Sequence, residues 1–409
     1  MPTGSVRICR LGSAVPGYPA RKLRRDVWLT GALLTTILPA CALVDAARGG
    51  GASPDAGPPP LFTQRIDYDT PGIRAVAIAD AAGNDRPDVV FADGTPALVA
   101  ISRGQQLRVR DLPYGFEHLV AADLDGDGKL DLVGSNGRRL LIVLGLFSRL
   151  PVAFEHEVTL SSSFSRIDDL AVGDLDQDGH ADIAAATDGV PFVLLQTARG
   201  EGDFSRPPVE LGIGPSSSAH VTRVAIGDRN GDGHNDLFVL QPHRSPGRVS
   251  VLPQGTPGAF GLLETFTGDA QLDAYIDLLL TDMDGNGRAD VLILQKNYGE
   301  LTAFVPGTGT LDSHRFGPFE RVFADRMVVG DIILDDGLRR ELVVGAALSS
   351  EIYVFDQSSP LELGTPQVVP SAQTPTALAI GDVDGDGRAD VAAQGTDKLS
   401  LFLTGPPPP

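Results

Sequence analysis

The stretch DLDGDGKLD, Asp123 to Asp131, sets four carboxylates and two glycines within nine residues. Two unit charges about 4 Å apart at an effective dielectric near 20 repel by roughly 4 kcal/mol, so a loop that gathers several needs a counter-charge. Acidic side chains at positions 1, 3 and 5, a glycine at 6 and a backbone carbonyl at 7 are the pattern by which oxygen ligands wrap calcium. Asp123, Asp125, Asp127, Gly128 and the carbonyl of Lys129 meet it, and Asp131 closes the shell at position 9. A helical calcium loop would continue to a glutamate at position 12, where Gly134 stands here. Magnesium fits less well, because it wants a smaller octahedral shell and keeps its waters. For one copy alone, an acidic surface turn is the competing reading.

The stretch recurs. Four further copies carry a complete set: Asp174, Asp176, Asp178, the His180 carbonyl and Asp182; Asp228, Asn230, Asp232, the His234 carbonyl and Asp236; Asp282, Asp284, Asn286, the Arg288 carbonyl and Asp290; Asp382, Asp384, Asp386, the Arg388 carbonyl and Asp390. Two more are degraded. DAAGNDRPD from Asp80 has Ala82 at the second ligand position, and DIILDDGLRRE from Asp331 is two residues longer with apolar residues at ligand positions. The first aspartates are 43, 51, 54, 54, 49 and 51 residues apart, a period near fifty that means a repeat architecture.

Each copy is flanked by short apolar runs, such as LVAAD before and DLVGS after, which are too short for helices and rich in Val, Ile, Leu and Ala. They read as buried strands forming a hairpin around the acidic loop. A polar turn leads to a third strand (LLIVLG, RVSVLPQ, LTAFVPG, EIYVFD, LSLFLTG), and a less regular fourth segment leads to the next copy. Four strands repeated seven times predict an all-β, seven-bladed β-propeller of four-stranded blades with the acidic loops between first and second strands. The last copy stops at its third strand, whereas LFTQRIDYD, Leu61 to Asp69, precedes the first copy without a blade of its own. That segment is expected to complete the last blade and remove two exposed edges.

The apolar run, D-x-D-x-D-G-x-x-D, the second run, and the phrases FSRPP at Phe204, FG at Phe260 and RFGP at Phe316 resemble FG-GAP or VCBS repeats over roughly Leu61 to Thr404. Those repeats form the seven-bladed propeller of integrin alpha chains and of many bacterial surface proteins. The resemblance implies a propeller with calcium in several first hairpin loops, about five ions here, and implies no single activity. The loops at Asp80 and Asp331 depart from that pattern.

The N-terminal residues speak to compartment. RKLRR, Arg21 to Arg25, precedes an apolar stretch from Val27 to Leu38, too short to span a bilayer, so residues 1–40 read as a signal peptide. LPAC, Leu38 to Cys41, resembles a bacterial lipobox, making Cys41 the lipidation site of an envelope lipoprotein; Ala40 to Ala42 also fits plain cleavage to a secreted or periplasmic form. Residues 41–60, ending in the Gly/Pro-rich ARGGGASPDAGPPP, read as a tether, residues 61–404 as the propeller with 61–69 as closing strand, and residues 405–409 as a proline tail. With Cys9 removed, Cys41 is left without an intramolecular disulfide partner.

Of 33 basic and 53 acidic residues, six and one fall in residues 1–40, leaving a net charge of −25 that argues against a nucleic-acid partner. Zinc-protease, nucleophile-elbow, P-loop and dinucleotide motifs are absent from the sequence, and the pair Asp168 and Asp169 reads as a solvated strand start. No catalytic residue is assigned. The expected function is a non-catalytic module binding a protein or a glycan, attached to the membrane through its lipid only; the alternative is an enzyme such as a lyase acting on acidic polysaccharide. Its ligand site is expected on the face opposite the acidic loops. There the turns offer Arg138, His243, Arg244, Arg248, Lys296 and Tyr298, and the starts of the inner strands offer His118, Arg223 and Arg326.

Overall fold

The computed structural model describes residues 5–6, 61–73, 75–80, 86–92, 97–102, 105–111, 115–128, 130–144, 155–159, 166–197, 201–212, 221–241, 248–256, 259–261, 264–267, 275–295, 301–306, 311–316, 324–332, 340–346 and 348–405. These residues are all-β, without an α-helix, and no helix among them is long and apolar enough to cross a membrane.

The runs flanking each acidic loop form antiparallel neighbours. Ala75–Ala79 pairs with Asp88–Ala92, His118–Ala122 with Asp131–Asn136, Ile167–Gly173 with Asp182–Thr187 and Arg223–Gly227 with Asp236–Gln241. Tyr275–Thr281 pairs with Asp290–Gln295, Ala324–Gly330 with Glu341–Ala346 and Ala377–Gly381 with Asp390–Gln394. A third and a fourth strand extend each pair, so the described residues contain seven antiparallel sheets built on this plan. In the sheet of the last copy the fourth strand is Gln64–Asp69, which lies antiparallel to Lys398–Leu403. Ser5–Val6 lies parallel to His118–Ala122, and two small two-stranded sheets complete the list of elements.

Each sheet's first strand packs on the first strand of the next sheet, and Ala377–Gly381 of the last copy packs on Ala75–Ala79 of the first. These first strands are nearly all buried, because each is covered on both sides by its neighbours. Glycine just before the loop makes the approach possible. A methyl group on Gly173 would lie 2.9 Å from Ile226 Cγ2, on Gly227 3.0 Å from Leu280 Cδ1, and on Gly381 3.1 Å from Ile78 Cγ2. The aliphatic two residues before the loops at Asp80, Asp228, Asp282 and Asp382 thus enters the glycine notch of the preceding sheet, and Ile78 in the notch of Gly381 joins the last sheet to the first. Placing the first strands side by side sets the acidic loops next to one another at one end.

Candidate metal centre

In every complete loop the first aspartate folds the backbone around itself. Asp123 Oδ1 and Oδ2 accept from the amides of Gly126 and Gly128 at 2.8 and 3.0 Å, and Asp282 accepts from Gly285 and Gly287 at 2.7 Å each. Asp174, Asp228 and Asp382 hold the same two amides of their loops. The turn needs positive φ at positions 4 and 6, which glycine supplies except at Gln177 (φ 59°). Position 5 to 7 contacts tighten the loop further: the amides of His180, His234, Arg288 and Arg388 donate to the side chains of Asp178, Asp232, Asn286 and Asp386. Lys129 lies outside the described residues.

The closing aspartate is buried in all five complete loops. Asp131, Asp182, Asp236, Asp290 and Asp390 are each fully buried, and their Oδ2 atoms accept from the amides of Leu124, Leu175, Arg229, Met283 and Val383 at 2.9, 2.7, 3.2, 2.7 and 2.8 Å. In three loops the other oxygen takes an amide from just past the third strand: Gln196 for Asp182, Gln254 for Asp236 and Thr404 for Asp390, each at 2.8 Å. The register of Val291 opposite Phe304 brings Pro306 to that place in the Asp290 sheet. Proline has no amide to donate. Asp290 Oδ1 accordingly is buried with no hydrogen-bond partner among the described residues.

Oxygen ligands converge. The sets Asp123, Asp125 and Asp127; Asp174, Asp176 and Asp182; Asp282, Asp284 and Asp290; and Asp382, Asp384 and Asp390 each bring their carboxylate oxygens within 4.8 Å of one another. In the fifth loop Asn230 replaces the second carboxylate and Asp228, Asp232 and Asp236 remain. Burial, then mutual repulsion among the aspartates, pushes the closing carboxyls up, Asp182, Asp290 and Asp390 to about 7 and Asp236 to about 6. Asp123, Asp174 and Asp384 are raised for the same reasons. An all-oxygen donor set, preorganised by backbone amides and holding the orphaned Asp290 Oδ1, fits a hard divalent cation, and a flexible shell of carboxylates and carbonyls fits calcium better than magnesium.

A pH dependence follows with a definite sign. A carboxyl raised from 3.8 to about 7 in the fold binds more protons folded than unfolded. In metal-free protein its contribution to stability is therefore complete below pH 3.8 and lost as pH rises through about 7. A cation needs the deprotonated form, so its affinity moves the other way, rising through the same window and levelling above it. Calorimetric calcium titrations near pH 5.5 and 7.5, in buffers of different ionisation enthalpy, are expected to show tighter binding at the higher pH and net proton release at the lower. Equal affinity at both values would sink this expectation.

The phrases between copies also reach the loops. Phe204 is buried, and two residues on Arg206 donates from Nη1 to Asp176 Oδ2 at 3.0 Å and to the Gln196 carbonyl at 2.9 Å. Gln196 Nε2 donates to the carbonyl of Leu124 in the preceding loop, and Gln357 Nε2 does the same to Met283. Sequence reading missed these tethers, although the recurrence of glutamine after the third strand at Gln196, Gln254 and Gln357 was a visible signal.

On the opposite face Arg138 is exposed in the turn before Arg139–Val143, and Arg248 is tied by Nε to Gln241 Oε1 at 2.7 Å. His243, Arg244, Lys296 and Tyr298 lie outside the described residues, as does Cys41. The inner-strand residues are not an open basic surface. His118, Arg223 and Arg326 are only 6%, 7% and 4% exposed, and Arg223 Nε pairs with Asp277 Oδ1 at 2.9 Å. Asp277 Oδ2 accepts from the Met327 amide of the next sheet, and Asp169 Oδ2 from the Val224 amide. The physical reason is local: the register shifts at Asp169, Asp277 and Arg326, and such bulges re-aim side chains, here towards the adjoining sheet. Asp168 is ion-paired with Arg166 at 2.7 Å.

A family of FG-GAP-like repeats matches residues 174–239 and 228–293, which contain the loops at Asp174, Asp228 and Asp282. FG-GAP-like repeats are thus detected across residues 174–293. None of the curated proteins compared matches it. Among solved structures it is similar to BBS1N, crystallised in complex with ARL6DN, with a TM-score of 0.62 and 14% identity over 84% of this chain and 97% of that one. It is also similar to Sqt1 of Saccharomyces cerevisiae, with a TM-score of 0.53 and 13% identity over 85% and 99% of the two chains. At such identities the likeness is one of fold, and it is to propeller-type proteins.

Proposed function

We propose that the chain is a seven-bladed propeller, stabilised by calcium in its five complete loops, that works as a non-catalytic interaction module for a protein partner at a bacterial envelope. The observation that carries this reading is a set of five loops folded on their first aspartate, four of which gather carboxylate oxygens within 4.8 Å, beside stacked first strands. Metal-binding duty is confined to the loop end, which leaves the turns at the other end, Arg138 among them, free to vary with a partner. Protein is favoured over glycan because BBS1N, similar in fold, is found with a protein partner. The signal-like stretch from Arg21 to Leu38 and Cys41 in LPAC support attachment through a lipid, with the residues after it as tether.

Cross-linking in cells that express the full chain is expected to capture a discrete protein at the envelope. Wild type should fractionate with membranes and Cys41→Ser should not. Purified, calcium-loaded protein should leave uronic-acid polymers uncleaved; turnover of such a polymer would replace this reading with the lyase. A bound glycan without any cross-linked protein would move the ligand class from protein to glycan.

A further inference from the structure

The loop at Asp174 holds its third-position side chain differently from the other complete loops. In those, that side chain accepts the amide two residues on: Asp125 Oδ1 from Asp127 at 3.0 Å, Asn230 Oδ1 from Asp232 at 2.9 Å, Asp284 Oδ1 from Asn286 at 3.0 Å and Asp384 Oδ1 from Asp386 at 3.1 Å. Asp176 Oδ2 instead accepts from Arg206 Nη1 at 3.0 Å, and Asp176 Oδ1 is buried with no hydrogen-bond partner among the described residues. Asp174, Asp176 and Asp182 still bring carboxylate oxygens within 4.8 Å of one another. Two places past the phenylalanine, the copies with FG phrases carry Leu262 and Pro318, so an arginine there is particular to this loop.

Arg206 is set in place by its own segment. Phe204 is buried, the Thr197 amide donates to the Asp203 carbonyl at 2.9 Å, Thr197 Oγ1 donates to Asp203 Oδ2 at 3.0 Å, and the Gly202 amide donates to Gln196 Oε1 at 3.0 Å. The Nη1 that reaches Asp176 also donates to the Gln196 carbonyl at 2.9 Å. A partner that orients a ligating carboxylate fixes which of its oxygens is left for the cation. We propose that Arg206 is the positioning residue of the Asp174 loop, turning Asp176 so that its Oδ1 is kept for calcium. This rests on the calcium reading above. Two effects oppose each other. The arginine charge repels a dication across the carboxylate, which at a water-like dielectric is worth roughly tenfold in affinity. Loss of an orienting partner costs about 10- to 100-fold, so positioning outweighs repulsion.

The test is calorimetry with calcium alone on the full chain, as wild type, Arg206→Met, Arg206→Lys, Asp176→Asn and the double variant Arg206→Met with Asp176→Asn. Arg206→Met is expected to weaken one site about tenfold and leave the others unchanged. Arg206→Lys should recover most of that loss, because one ammonium can serve both contacts that Nη1 makes. Asp176→Asn should weaken the same site, and adding Arg206→Met to it should change the isotherm no further. In excess chelator Arg206→Met should melt close to wild type, since an ion pair whose arginine is nearly half exposed contributes little to stability. A clear fall of the chelator melt, with no recovery of affinity in Arg206→Lys, would reduce Arg206 to a structural role and overturn the proposal. So would a site that gains affinity in Arg206→Met, which would make the arginine a competitor of the cation. If wild type binds no calcium, the calcium reading fails and takes this inference with it; about five ions in wild type with an unchanged Arg206→Met isotherm would sink this inference alone.

Discussion

In excess chelator the protein is expected to melt about 19 °C lower than in millimolar calcium. Each ion that binds only the folded chain at about a hundred times its Kd adds roughly 2.7 kcal/mol, and a domain of this length shifts by about 1.4 °C per kcal/mol, so five sites act together to this size. The loops themselves explain the dependence. Asp282, Asp284 and Asp290 converge within 4.8 Å, the closing aspartate has no exposure, and its Oδ1 has no donor among the described residues. Without a cation those carboxylates face repulsion and desolvation that only protonation relieves. Native mass spectrometry should count about five calcium ions, and Asp125→Ala should remove one. A melt that ignores chelator would end the structural-calcium reading, whatever the protein binds elsewhere.

Deleting Leu61 to Asp69, with everything before it kept, is expected to make the protein aggregate. Gln64–Asp69 pairs along its whole length with Lys398–Leu403, and further contacts reinforce the pairing. The Thr63 amide donates to the Leu403 carbonyl at 2.9 Å, Ser400 Oγ to Asp67 Oδ1 at 2.8 Å, and the rings of Phe62 and Phe402 meet at 5.3 Å. Arg65 Nη1 further donates to the Pro370 carbonyl on the adjoining sheet at 2.8 Å. Removing the segment bares the edge of a long, apolar strand, KLSLFL, which is a template for pairing with another chain. Size-exclusion chromatography with light scattering would show it, and the peptide LFTQRIDYD added in trans should restore part of the monomer. A deletion that stays monomeric and melts like wild type would mean that this strand is dispensable.

Much of the scaffold was legible in local sequence. The apolar runs around each acidic loop are the strands His118–Ala122 with Asp131–Asn136 and their counterparts, because a short Val/Ile/Ala run bounded by Asp and Gly has one compact solution. The loop frame was equally local, since Asp123 bonds amides three and five residues on. The chain's own residues between Asp123 and Asp131 therefore specify the turn before any partner arrives.

Other features depended on neighbours far along the chain. Arg223 read as a surface cation, yet it is buried against Asp277, 54 residues away, because the inner strand meets its neighbour where the Asp277 bulge turns that carboxylate sideways. Arg206 holding Asp176, and Pro306 leaving Asp290 Oδ1 without a donor among the described residues, are of the same kind. Sequence by itself determined the repeat, the acidic loops and the strands that carry them, since these arise from contacts within about ten residues. Tertiary structure alone decided which charges are paired and which face solvent, since those contacts join different sheets and depend on side-chain directions that strand register and bulges set.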